Sequence, residues 1–125
     1  MDEEGISVYD FNKQIYSQMT PLRGEKLDSA LSNICAWMGS REHFHYFMLN
    51  NYELKWFTIF NLLEPHNYRQ AYKDLHEVVD NIGDVLAIEY DHDMQYYEIW
   101  MRCEQDNDVH MFVLFDCNDL VIEVM

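Results

Sequence analysis

The sequence predicts an α+β domain: two N-terminal helices, a β-hairpin, a third helix and a C-terminal antiparallel β-meander, with the helices packed on one sheet face. Three observations predict it. Apolar residues recur at helical spacing in three segments, aromatic and β-branched runs fill most of the remainder, and short polar tracts punctuate those runs. No repeat, low-complexity tract or Pro/Gly/Ser linker interrupts residues 1–125, which read as a single globular domain.

In the first helix Ser7 stands as a cap with Asp10 three residues on, and Val8, Phe11, Ile15 and Met19 form the stripe that should pack inward; Thr20-Pro21 ends it. The second begins near Glu25, buries Leu27, Ala30, Leu31, Ile34 and Met38, and reaches Gly39, placed for a left-handed C-terminal residue. HFHYFML and YELKWFTIF, joined through Asn50-Asn51, read as a hairpin. Asn67 and Gln70 open the third helix, whose stripe of Tyr68, Ala71, Tyr72, Leu75, Val78, Val79 and Ile82 closes at Gly83. VLAIEYD, YYEIWMRC, VHMFVLF and LVIEV then form the meander.

With His92 to Gln95 as the first meander loop, Asp91 faces Tyr96 and Glu89 faces Glu98. With Glu104 to Asp108 as the second, Trp100 faces Phe112. One sheet face then carries Tyr96, Glu98, Trp100, Arg102, Phe112 and Leu114. The other carries Ile88, Tyr90, Tyr97, Ile99, Met101, Met111, Val113 and Phe115, an apolar set for the helices to cover. Alternating loops place Asp91 and Asp93 at the same end as Asp116 and Asp119, and Glu104, Asp106 and Asp108 at the other.

Charge carries the functional reading. From Asp74 onward the chain holds fourteen carboxylates and a single basic side chain, Arg102, so nearly all of its net charge of −15 lies in the last 52 residues. Such a surplus repels itself, yet it steers cationic molecules inward, and proteins that bind nucleic acid present the Lys and Arg clusters that an acidic surface complements. The same surplus disfavours direct binding to nucleic acid. Two acidic rims around Tyr96, Trp100 and Phe112 make a protein-binding patch of aromatic anchors within a charged border. The expected contact set is Glu89, Asp91, Asp93, Tyr96, Glu98, Trp100, Glu104, Asp106, Asp108, Phe112, Asp116 and Asp119.

Other chemistries are poorly supported. No glycine-rich phosphate loop occurs. His43 and His45 form an H-x-H on a strand and are the basis of a lower-ranked reading as a small metal-binding or enzymatic domain; a third ligand would come from afar, Glu53 or His66. Asp91-His92-Asp93 lacks the glycine and distant glutamate of a calcium loop and reads as a turn. Cysteines 35, 103 and 117 are too few and too scattered for a disulfide framework and read as buried thiols in a reducing compartment. The acidic N-terminus and the lack of a long apolar run argue against a signal peptide and a membrane span, giving a soluble, cytoplasmic protein.

The expectation is an acidic stoichiometric inhibitor of a nucleic-acid-handling enzyme, neither an enzyme itself nor a holder of metal or cofactor. Its partner would be a basic protein, first of all a nuclease toxin neutralised by its immunity protein. The alternative is a phage-encoded nucleic-acid mimic of the anti-CRISPR or anti-restriction type. A third class is a subunit whose outer sheet face a neighbour covers.

Overall fold

The structure, a computed structural model, describes residues 8–40, 45–50, 55–61 and 68–116. Its elements follow the expected order: helices α1 (Val8–Tyr16) and α2 (Glu25–Gly39), strands β1 (His45–Asn50) and β2 (Lys55–Asn61), helix α3 (Tyr68–Ile82), then strands β3 (Gly83–Asp91), β4 (Tyr96–Cys103) and β5 (Val109–Asp116). All five strands join one antiparallel sheet in the order β2-β1-β5-β4-β3. The α+β architecture of helices, hairpin, helix and meander is therefore present. The place beside β5 that a fourth meander strand would take is held by β1, and residues 120–124, read as that strand, lie outside the described residues.

The first stripe does not pack inward. Helices α2 and α3 share one sheet face, where Leu31, Ile34, Cys35, Met38, Leu75 and Val79 bury Val85, Ile99, Met101, Cys103, Phe112 and Leu114. Helix α1 crosses to the other face, setting Tyr9 and Tyr16 over Trp100, Leu86 and Val109. Side chains that alternate along β4 are thus buried on both faces of the sheet.

The expected pairing of β3 with β4 is present, with Glu89 opposite Glu98 and Asp91 opposite Tyr96. A bulge between Val85 and Ala87 inserts Leu86, so that Leu86 and Ala87 both turn toward α1. The pairing of β4 with β5 differs by one residue from expectation: Trp100 faces Met111, and Ile99 faces Phe112. Phe112 and Leu114 therefore lie under α2 and α3, while Met111 lies under α1. A one-residue slip reverses every side chain on a strand.

Its cause is the second loop. The amide of Asn107 donates to the Cys103 carbonyl at 2.8 Å, and Asn107 has a φ of 56°. The first loop is built alike, with the Gln95 amide on the Asp91 carbonyl at 2.7 Å and a φ of 60° at Gln95. Both are four-residue loops closed by a left-handed residue. Asp108 therefore belongs to the ladder, its carbonyl accepting from the Cys103 amide at 2.9 Å, instead of forming a fifth loop residue.

Two glycines behave differently from one another. Gly39 is the last helical residue of α2, followed by Ser40 at φ −83°, so the expected left-handed termination is absent; the Ser40 hydroxyl instead donates to the Trp37 carbonyl at 2.7 Å. Gly83 joins α3 to β3 without a loop, at a φ of 156°, and a Cβ there would collide with the Arg102 carbonyl. Only glycine permits that approach. The capping residues Ser7 and Asn67 lie outside the described residues.

Candidate protein-binding face

Helix α1 has two ridges. Tyr9, Lys13 and Tyr16 line one side at spacings of four and three, and Val8, Phe11 and Ile15 line another. The tyrosines go inward because Trp100 gives them a flat, apolar partner: Tyr9 stacks at 5.4 Å between ring centroids and Tyr16 tilts against it at 4.9 Å. Lys13 then reaches Asp108, Nζ to Oδ2 at 3.0 Å, and the carbonyl of Ser17 accepts a hydrogen bond from Arg102 at 3.0 Å. The outer ridge is left in water. Val8 is 71% exposed, Phe11 54%, Ile15 42% and Met19, just beyond the helix, 45%.

Carboxylates lie at both ends of the strands that α1 crosses. Beyond Trp100 along β4 come Glu98 and Tyr96, opposite Glu89 and Asp91. The Glu98 carboxyl is held above its ordinary range, first by partial burial and then by the charges of Asp91 and Glu89, with the Trp100 indole acting in the opposite direction. Burial also raises the Tyr96 phenol, and Glu98 and Asp91 add to it. Asp91 has a structural duty as well, since one of its oxygens accepts from the amides of Asp93 and Met94, both at 2.9 Å. That is the turn expected of Asp91-His92-Asp93. Asp93 and Met94 stand at the exposed tip.

At the opposite end lie Glu104, Asp106 and Asp108, all exposed. Asp106 accepts from the Asp108 amide at 3.1 Å and meets His110 Nε2 at 2.7 Å; that side-chain bond is the main reason its carboxyl lies below the usual range. Asp108 is lowered mainly by Lys13. These two are therefore loop builders as well as charges. Arg102 gives its guanidinium to the carbonyls of Asn107 and Ser17, at 3.2 and 3.0 Å, and so fastens the loop to the end of α1.

The expected contact set is redistributed. Glu89, Asp91, Asp93, Tyr96 and Glu98 come together at one end, and Glu104, Asp106 and Asp108 at the other. Trp100 and Phe112 are each 1% exposed and lie on opposite faces, so neither is a surface anchor. Asp116 ends β5 opposite Tyr46; Asp119 lies outside the described residues. The residues that sequence reasoning missed are the outward ridge of α1 and His110, buried beside Cys103. The α1 spacing was legible, but two ridges of similar apolarity compete for the inside, and only the presence of Trp100 on the facing strand decides between them.

Cys35 is buried, and that burial pushes its thiol up to about 12, which makes it an inert core thiol. His43 lies outside the described residues and His45 begins β1. Among the described residues, Cys103, Asp106 and His110 bring sulfur, oxygen and nitrogen donors together. No helix among the described residues is long and apolar enough to cross a membrane. Comparison with protein-family models, curated proteins and solved structures finds no match to this chain.

Proposed function

We propose that this chain is an acidic cytoplasmic protein that inhibits a nucleic-acid-handling enzyme stoichiometrically, and that its contact face is the outer ridge of α1 together with the carboxylates on either side. The observation that carries the reading is the exposed apolar row of Val8, Phe11, Ile15 and Met19 set between two acidic ends. An apolar row supplies contact area that is desolvated on binding, and the carboxylates select and accelerate a basic partner. The anchors differ from those expected, since Trp100 and Phe112 are buried. A nuclease toxin is the first candidate partner, with this chain as its immunity protein.

A phage-encoded nucleic-acid mimic is the second reading. Mimicry of a duplex relies on carboxylates at phosphate-like spacing and has little use for a row of Val, Phe, Ile and Met, so that row favours a partner-specific protein interface. Isothermal titration of the partner with the parent protein and with Phe11→Ser separates the two. A toxin-specific interface loses affinity on that substitution, whereas a mimic keeps it and loses affinity instead with Glu89→Gln and Glu98→Gln.

A further inference from the structure

We propose that Cys103, Asp106 and His110 form a three-ligand zinc site at the far end of the β4–β5 hairpin. The site follows from the pairing of these strands. Asp108 stands opposite Cys103, so His110, two residues further along, is its diagonal neighbour on the same face. In the register expected from sequence, the two would lie on opposite faces. The four-residue loop then curls Asp106 back over His110, with Nε2 and Oδ2 2.7 Å apart.

The three donor atoms lie within 4.8 Å of one another. Around a tetrahedral zinc ion with bonds of about 2.0 to 2.3 Å, donors sit roughly 3.3 to 3.8 Å apart. The Asp106 side chain, 46% exposed, has room to adjust, while the His110 side chain is only 3% exposed. Cys103 is buried too, at 8%. A set of thiolate, imidazole and carboxylate selects a borderline-soft ion over calcium or magnesium, which require oxygen ligands throughout. Cys103 also lines an open groove of about 340 Å³ with Gly83, Asp84, Glu104 and Asn107. Binding converts the Cys103 thiol to thiolate and releases its proton to solvent, so affinity falls as pH falls.

Cobalt reports the site directly. The full chain, freed of metal by chelator and kept reduced, is titrated with Co²⁺ and then with Zn²⁺. The expected result is one cobalt per chain with a thiolate-to-cobalt charge-transfer band, displaced by zinc. Cys103→Ser abolishes the band, and Asp106→Asn, an exposed change that leaves the core intact, weakens cobalt binding by more than about tenfold. Should Cys103→Ser fail to fold by circular dichroism, Asp106→Asn decides alone. A parent protein without the band, or one whose cobalt uptake is unchanged in Asp106→Asn, overturns the proposal.

Discussion

The ring of Tyr16 lies 4.9 Å from that of Trp100, and with Tyr9 on the same indole it fixes which side of α1 meets the sheet. This contact turns Phe11 and Ile15 outward. It also makes Trp100 a core residue, with consequences for any attempt to map the binding face.

Trp100→Ala should therefore act on folding. Removing a buried Trp costs about 3 to 5 kcal/mol, a large part of a small domain's stability. Urea denaturation should show that loss. A variant that keeps the parent midpoint and loses only partner binding would contradict the placement of Trp100 beneath α1.

Phe11→Ser and Ile15→Ser should do the reverse. Both side chains are exposed, at 54% and 42%, so stability should change by no more than about 0.5 kcal/mol, while a desolvated anchor commonly costs about 2 kcal/mol of affinity when removed. Thermal midpoints beside binding titrations make the comparison. Equal losses in both measurements would place the ridge in the core.

The raised carboxyl of Glu98 sets a pH dependence. Its folded pKa lies above the ordinary value of 4.5, so the native state holds the extra proton more readily than the unfolded chain. The resulting stabilisation is full below that value and is lost as pH rises through the folded one. Asp106 and Asp108, lowered from 3.8, contribute stability that is present above that value and lost as pH falls through their folded values. Stability should thus rise on mild acidification from neutrality and fall again in stronger acid. Denaturation midpoints across this range, compared with Glu98→Gln, isolate the carboxylate; an unchanged acid-side rise in the variant would contradict its role.

Gly83→Ala should destabilise the junction of α3 and β3. The new methyl meets the Arg102 carbonyl, which the sheet holds in place, and the φ of 156° adds backbone strain of about 1 to 3 kcal/mol. A denaturant midpoint equal to that of the parent would show that the junction yields freely.

Much of this architecture was legible because periodicity reports burial. The stripes of α2 and α3 and the runs of β3, β4 and β5 are driven by apolar residues that have one place to go. The Glu89 to Glu98 pairing was legible too, since loop and strand chemistry agree at Asp91 to Tyr96. At Asp108 they disagree. An Asp at the end of a polar tract reads as a loop residue, yet its backbone completes the ladder to Cys103, and the left-handed φ of Asn107 closes the shorter loop. That single residue moved Phe112 to the core and brought His110 beside Cys103. Arg102 was legible as the lone base of the acidic half, but its hydrogen bonds to the Ser17 and Asn107 carbonyls depend on where α1 ends and on how the loop folds.

In the proposed function, the α1 ridge between its acidic ends captures and blocks a basic enzyme acting on nucleic acid. The most direct test recovers the partner on the parent protein from the organism that encodes it and assays that partner's cleavage of DNA and RNA as the parent protein is added. Cleavage should fall in proportion to added protein and vanish at one equivalent, and an equal amount of Phe11→Ser should leave most of it intact. A partner that cleaves neither nucleic acid, or one inhibited as well by Phe11→Ser as by the parent, would contradict the account.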